Sequence, residues 1–375
     1  EKYQEDKFNN VNNDLTKNQM FNQKTFTLLD PIMYLVMYFL TLAIYYIGSI
    51  LINNAGMTDK IVLFSDMIVF STYAMQVIMS FLMLAMIFMM MPRADVSAKR
   101  INEILETETS IKEGTVKENT TGLKGTVEFK NVSFKYPDAD EYLLKNISFT
   151  ANTGETVAFI GSTGSGKSTL INLIPRFYDV TDGEILINGI NVKDYQSEYL
   201  HNIIGYVPQK AVMFSGTVAS NVSFGKTKSG KVKQDKIEKA IEVSQAYEFV
   251  NKLDKKYNAH ISQGGTNISG GQKQRLSIAR AIARDPEIYI FDDTFSALDY
   301  KTDSVLRDKL KKYTKEATSL IVAQRIGTIM NADKIIVLDK GQCVGMGTHK
   351  ELMKKCKIYK EIALSQLSKE ELENE

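Results

Sequence analysis

An unbroken apolar run near the start of the chain restricts the folds that it can adopt. No charged residue interrupts the 22 positions from Pro31 to Ile52, which read PIMYLVMYFLTLAIYYIGSILI. At about 1.5 Å of rise per residue, a helix of this length crosses a hydrocarbon core of roughly 30 Å. Because only a helix satisfies its own backbone groups inside lipid, the run predicts a membrane-spanning helix.

A second apolar run follows after a short polar stretch. It extends from Ile61 to Met91, and Asp66 is its only charged residue. The two runs predict a helical hairpin with membrane spans at about 31–53 and 61–91. A buried hairpin of a soluble protein is the alternative, although charge-free runs of this length are typical of membrane spans.

Basic residues predict how the hairpin is oriented. They are concentrated at its two ends, whereas the connection holds a single lysine, so both ends are expected in the cytoplasm. The end residues are Lys17, Lys24, Arg93, Lys99 and Arg100, and the connection contains Lys60. The opening stretch EKYQEDKFNNVNNDLTKNQ is polar with helical character. It is interpreted as the middle of a helix, with upstream sequence missing.

The second span contains a methionine series at helical spacing, from Met75 to Met90. These side chains would lie on one helical face. They are interpreted either as lipid-facing or packing residues, or as an adaptable wall for varied apolar substrates.

The composition changes after the second run. The stretch VSAKRINEILE is interpreted as the helical end of the second span, and TETSIKEGTVKENTTGLKG after it is polar and unpatterned. Residues 101–124 are therefore interpreted as a linker after a first domain of residues 1–100. From 125 to 375 the pattern alternates between strands and helices, which predicts an α/β domain. The net charge of the chain is only +2 and no basic stripe is present, which argues against nucleic acid as a partner.

The strongest motif is GSTGSGKST, which begins at Gly161, the last residue of the apolar strand ETVAFIG. It fits the pattern G-x-x-x-x-G-K-[ST]. Glycines let backbone N–H groups converge on phosphate oxygens, and the helix predicted from Lys167 onward adds its positive N-terminus. Lys167 would neutralise the β- and γ-phosphates, and Ser168 would ligate Mg²⁺. The candidate nucleotide-binding residues here are Gly161, Ser162, Thr163, Gly164, Ser165, Gly166, Lys167, Ser168 and Thr169.

A second apolar strand, EIYIFDD, ends in two aspartates. Asp292 would lie at the carboxyl edge of the sheet, where its oxygen is a suitable Mg²⁺ ligand. Asp293 would then lie beside the γ-phosphate, where a base must orient the attacking water.

Further motifs resemble those of ABC ATPases. The segment ISGGQ, with Ser269, Gly270, Gly271 and Gln272, resembles the family's signature sequence, which is LSGGQ in most members. Tyr136 resembles the aromatic residue that stacks on adenine. Gln209 in YVPQK resembles the glutamine loop, and SALD at 296–299 resembles the D-loop. The motifs stand in the family's order.

The resemblance covers residues 125–360, and the hairpin resembles the fifth and sixth helices of type IV exporters, the multidrug and lipid exporter class. It implies an α-helical membrane hairpin joined to an α/β P-loop ABC ATPase domain. That domain would contain a RecA-like core, an antiparallel β subdomain and an α-helical signature subdomain. The resemblance also implies ATP and Mg²⁺ as cofactors, with Ser168, Gln209 and Asp292 on the metal. ATP would lie between paired domains, gripped by one phosphate loop and the other subunit's signature.

Two positions depart from the family pattern. Asp293 stands where glutamate is usual, and Gln324 in IVAQRIG stands where histidine is usual. Aspartate is one methylene shorter than glutamate, and glutamine, unlike histidine, cannot take up a proton and become charged near neutral pH. With Gln209, these are the candidate catalytic residues. The pair resembles the degenerate half of a heterodimeric bacterial exporter; a homodimer with two slow sites is the alternative.

The expected function is ATP-driven export across the cytoplasmic membrane, with a second exporter half, the lipid bilayer and an exported small molecule, lipid or peptide as partners. A soluble ABC ATPase acting on nucleic acid or the ribosome is the alternative from another class. His349 in GTHKEL is interpreted as a surface turn residue.

Overall fold

The computed structural model describes residues 2–225 and 232–366. The chain divides into two compact units, the first ending at Glu108 and the second beginning at Thr109. The first contains two long helices, α1 (Lys2–Asn54) and α2 (Met57–Leu105).

The two helices of the first unit form an antiparallel hairpin. Thr41 Oγ1 lies 3.8 Å from Met75 Sδ, and a Cβ on Gly48 would lie 2.4 Å from Met67 Sδ, so the backbones approach closely at that glycine. Among the described residues, two segments are long and apolar enough to cross a membrane, Pro31–Asn54 and Met57–Leu105. Their side chains are mostly exposed, as expected for surfaces that contact lipid or other helices.

The second unit is an α/β domain. Its strands are β1 (Val127–Phe134), β2 (Leu144–Ala151), β3 (Thr156–Gly161), β4 (Asp182–Ile187), β5 (Ile190–Asn191), β6 (Ile204–Val207), β7 (Gly216–Thr217), β8 (His260–Ile261), β9 (Ile288–Asp292), β10 (Thr318–Val322), β11 (Lys334–Asp339) and β12 (Gln342–Gly347). Its helices are α3 (Lys167–Asn172), α4 (Ser197–Ile203), α5 (Val218–Val222), α6 (Gln234–Val243), α7 (Tyr247–Lys252), α8 (Gly270–Ala283), α9 (Tyr300–Tyr313), α10 (Ile326–Ile329), α11 (His349–Lys355) and α12 (Lys357–Gln366), with 3₁₀ turns at Lys256–Asn258 and Gln263–Gly265.

Two larger sheets organise the domain. An antiparallel sheet has the order β2-β1-β4-β5, and a six-stranded sheet has the order β12-β11-β3-β10-β9-β6. In the second sheet β11, β3, β10, β9 and β6 run parallel, and β12 is an antiparallel edge strand. The carboxyl ends of the parallel strands therefore lie along one edge, where α/β sheets bind their ligands.

The parallel strands are buried on both faces because each face contacts a different core. On β3, Val157 and Phe159 belong to the core shared with the antiparallel sheet, whereas Ala158 and Ile160 face the core of α10–α12. On β9, Tyr289 and Phe291 belong to the core around α8. Successive side chains on a strand point to opposite faces, so continuous apolar runs here indicate central strands.

One interpretation from the sequence is wrong. His349 is only 5% exposed, and its Nδ1 lies 2.6 Å from the hydroxyl of Tyr359. The packing of α11 against α12 buries this residue, which the local turn pattern of GTHKEL does not indicate.

Candidate functional site

The loop between β3 and α3 is folded around Lys167. Its Nζ donates to the carbonyls of Gly161 and Ser162, both at 2.8 Å, and contacts Ser165 Oγ at 3.4 Å. Gly164 and Gly166 have φ of +82° and +96°, a region that side chains disfavour. The glycines at these two positions therefore allow the loop to close around the ammonium group.

Burial lowers the pKa of Lys167, and the carboxylates of Asp293 and Asp292 partly offset this shift. The charges of these two carboxylates, at the carboxyl edge of the sheet, therefore act on the ammonium group. No atom of the described residues lies within 4 Å of the position that a Cβ on Gly164 would occupy, so the outer side of the loop is open. An anionic group can approach the loop from that side.

Asp292 ends β9 and is 5% exposed. Ser168 Oγ donates to its Oδ1 at 2.9 Å. Burial raises the pKa of Asp292, and the hydroxyl of Ser168 opposes the shift. A hydroxyl and a carboxylate oxygen at this distance form a donor set suited to a hard divalent cation.

Asp293 follows in a positive-φ conformation, with φ of +43°. Its N–H donates to the carbonyl of Val322 at 3.0 Å, which joins the loop after β9 to β10. Its Oδ2 accepts from Gln324 Nε2 at 2.7 Å and from Gln209 Nε2 at 3.1 Å. Burial raises the pKa of Asp293, although the two amides act against that shift. The three predicted catalytic residues are thus in direct contact.

Tyr136 lies beside α3. Its hydroxyl is 3.0 Å from Thr169 Oγ1, and its half-buried ring makes edge contacts with Phe134 and Tyr178, with centroids 5.0 and 5.2 Å apart. The phosphate loop, its helix and this aromatic ring therefore belong to one site.

The signature segment lies elsewhere on the domain surface. Ser269 caps α8: its Oγ accepts from Gln272 N at 3.3 Å, and its own N–H donates to Gln272 Oε1 at 2.9 Å. Ser269 and Gly270 are exposed, and in the part of the chain that the structure describes no atom lies within 4 Å of a Cβ on Gly270. Within residues 2–225 and 232–366, no hydrogen bond joins this segment to the phosphate loop. The structure brings together the other predicted groups, but not this one.

Two further residues at the site, Tyr206 and Asn172, were not predicted from the sequence. The hydroxyl of Tyr206 donates to Asn172 Oδ1 at 2.9 Å and approaches Asp292 Oδ2 at 3.5 Å. Burial, followed by the charge of Asp292, raises the pKa of Tyr206. Tyr206 lies three residues before Gln209 in the segment YVPQ, so the motif itself was the available signal.

Comparison with known proteins agrees with this geometry. Residues 1–107 match the ABC transporter transmembrane region, and residues 144–296 match the ABC transporter family. An uncharacterized ABC transporter ATP-binding protein of Mycobacterium bovis is 40% identical over 367 residues, which is 98% of this chain and 62% of that protein. Multidrug resistance protein 1 of Entamoeba histolytica is 40% identical over 275 residues, 72% of this chain and 21% of that protein.

A solved structure has the same fold. A bacterial Atm1-family ABC exporter with ATP bound superposes with a TM-score of 0.73 at 29% identity, covering 81% of this chain and 53% of that one. The predicted fold class, a membrane helical region followed by an ABC ATPase domain, is confirmed.

The transmembrane region and the two long apolar helices identify a membrane protein with a cytoplasmic ATPase domain. The chain spans 62% of the length of its Mycobacterium bovis relative. It belongs to the ABC transporters, the family whose ATPase domains bind ATP and couple its hydrolysis to transport.

Proposed function

We propose that this chain is part of an exporter that uses ATP to move a substrate across the cytoplasmic membrane. The Atm1-family neighbour is an exporter, and the Entamoeba histolytica relative is named for multidrug resistance. The single observation that carries the proposal is the contact set at the sheet edge, in which Ser168 reaches Asp292 and two glutamines reach Asp293. The soluble alternative is not proposed, because residues 1–107 match a transporter's transmembrane region.

The phosphate loop would bind the triphosphate of ATP. Lys167 would exchange its carbonyl contacts for phosphate oxygens, which are stronger acceptors because they are charged. The left-handed glycines would leave the loop N–H groups free to donate to the same oxygens. The ring of Tyr136 would stack on the adenine.

The oxygen atoms of Ser168 and Asp292 fit Mg²⁺, since they already lie 2.9 Å apart at the edge of the sheet. The amide oxygen of Gln209 would be a third ligand, because its nitrogen is the atom that donates to Asp293. Bound Mg²⁺ neutralises charge on the phosphates. The chain's own residues would hold the metal and orient the nucleotide.

Asp293 would orient the attacking water and accept its proton, and this site would be slow. The carboxylate is one methylene shorter than the glutamate usual in the family, and a misplacement of about 1 Å can cost ~10²-fold in rate. Gln324 donates to the same carboxylate oxygen, and as a neutral amide it adds no positive charge near the γ-phosphate.

The exposed signature segment would complete the site of a second subunit. Ser269 and the N–H groups of Gly270 and Gly271 lie at the start of the 14-residue helix α8, where an anion is favoured. ATP would then lie between paired domains, and in a heterodimer the partner would supply the faster site. A homodimer with two slow sites is the alternative.

Two substitutions in the assembled transporter distinguish a heterodimer from a homodimer. In a heterodimer, Ser269→Ala impairs the faster site and lowers steady-state ATP hydrolysis at least tenfold, whereas Asp293→Asn leaves most of that rate intact. In a homodimer, both substitutions remove most of the activity. Full hydrolysis in the Ser269→Ala variant contradicts the proposed role of the signature.

A further inference from the structure

The last described helix, α12, is anchored beside the loop that follows β10. Tyr359 and Ala363 are fully buried in the same core as Ile326 and Ile329 of α10. Gln366, which is itself exposed, ends this helix three residues after Ala363 and lies next to the loop that carries Gln324. The loop after β10 therefore contacts a helix, α12, that is distant from it in the sequence.

Gln366 binds that loop with both ends of its side-chain amide. Its Oε1 accepts from Ile326 N at 2.8 Å, and its Nε2 donates to the carbonyl of Gln324 at 2.8 Å. Ile326 opens α10, so its N–H has no partner within that helix. Because one end must accept and the other must donate, the orientation of the amide is determined by the loop.

The contact continues to the carboxylate at the centre of the site. Gln324 has its backbone carbonyl bound by Gln366, and its side chain donates to Asp293 Oδ2 at 2.7 Å. An unbroken series of hydrogen bonds thus joins Gln366, Gln324 and Asp293. A shift of the loop backbone would move the amide group of Gln324 directly.

We propose that Gln366 is a positioning residue for ATP hydrolysis: it fixes the backbone of Gln324 so that the Gln324 amide meets Asp293 and the γ-phosphate. The inference rests on the proposed function of this site. The two amide contacts of Gln366 go to the loop backbone at Gln324 and Ile326, so its effect would pass through Gln324. A residue that only stabilised α12 would leave the chemistry of the site unchanged.

The test uses the assembled transporter in lipid nanodiscs and single-turnover hydrolysis of [γ-³²P]ATP. The phase that belongs to this chain's site is identified as the one slowed by Asp293→Asn. Gln366→Leu removes both amide contacts at similar size. Ser365→Ala is the matched control, since the Ser365 hydroxyl donates within α12, to the carbonyl of Ile362 at 2.7 Å.

Gln366→Leu is expected to slow this phase about threefold to tenfold, the effect of one or two lost hydrogen bonds. The ATP concentration for half-maximal rate should stay within about twofold, because Gln366 bonds the loop backbone and not the phosphate loop or Tyr136 that would bind the nucleotide. Ser365→Ala should match the wild type. On a Gln324→Ala background, Gln366→Leu should add no further loss.

The outcomes distinguish the positioning role of Gln366 from the proposed function of the site. An unchanged phase in Gln366→Leu, or an equal loss on both backgrounds, overturns the positioning role and leaves the proposed function intact. If Gln324→Ala alone has no effect, the assignment of Gln324 fails and the positioning role fails with it. If Asp293→Asn slows no phase, the proposed role of this site in hydrolysis fails.

Discussion

Lengthening the carboxylate at position 293 should accelerate hydrolysis at this chain's site. Asp293→Glu adds one carbon–carbon bond of about 1.5 Å, which moves the carboxylate outward by roughly 1 Å. A displacement of that size can change the rate by ~10²-fold, equivalent to about 2.7 kcal/mol in the activation free energy. The longer side chain must also remake the hydrogen bonds from Gln209 and Gln324.

Each of these hydrogen bonds to a carboxylate contributes about 1.5–3 kcal/mol. Losing one of them at the lower of these values leaves about 1.2 kcal/mol of the gain, so the expected net acceleration is roughly eightfold. Position 293 has φ of +43°, which aspartate and asparagine tolerate better than glutamate. Asp293→Glu should consequently have a melting temperature a few degrees below that of the wild type, whereas Asp293→Asn carries no such backbone cost.

The assay is single-turnover hydrolysis of [γ-³²P]ATP by the assembled transporter, with the slower phase assigned to this site. Asp293→Glu should accelerate that phase, and Asp293→Asn, which keeps the shape but loses the charge, should slow it at least tenfold. A slow phase that is not accelerated in the glutamate variant refutes the argument that the short side chain limits the rate.

Three other predictions test separate contacts. Tyr136→Ala removes the adenine stack and should raise the 8-azido-ATP concentration for half-maximal photolabelling about tenfold, whereas Tyr136→Phe should stay within about twofold. Equal effects of both variants contradict stacking. Tyr206→Phe should raise the half-saturating Mg²⁺ concentration about threefold, since it removes a long 3.5 Å contact behind Asp292; unchanged Mg²⁺ dependence contradicts this role. Burial alone would raise the pKa of Glu155, but its hydrogen bonds from Lys334 and Asn152 lower the pKa in the folded protein. The Glu155 carboxylate therefore stabilises the fold at pH values above its ordinary pKa of about 4.3. This contribution is lost as the pH falls through the lower pKa of the folded protein. Glu155→Gln should thus lower the melting temperature at pH 7 by a few degrees, and the difference from wild type should shrink on acidification; a difference that grows on acidification contradicts the sign.

The local parts of the site follow directly from the sequence. The run TVAFIG gives a strand because its apolar residues fill two cores, and the glycines after it fit a loop with two left-handed positions. The run IYIFD gives a second central strand, and parallel strands place their carboxyl ends together. Gly161, Lys167 and Asp292 are therefore near one another for reasons visible in the sequence.

Strand irregularities and contacts between elements that are distant in the chain are harder to predict from the sequence. The alternation in TVEFKNVSF indicates β1, but not the irregularity between Phe129 and Val132, where Asn131 adopts φ of +49°. The bidentate contact of Gln366 depends on how α12 packs against α10, 40 residues away in the chain. Amide side chains bind whatever backbone lies near them, so such partners are set by tertiary packing.

The central claim is that the loop around Lys167 binds the triphosphate of ATP. It is tested most directly by photolabelling of this chain with 8-azido-ATP, resolved from other subunits by electrophoresis, in Lys167→Ala and in Lys130→Ala, a surface lysine paired with Glu184 at 3.2 Å. Half-maximal labelling should require at least tenfold more nucleotide in Lys167→Ala and be unchanged in Lys130→Ala. Equal labelling of Lys167→Ala and the wild type at every concentration would contradict the account.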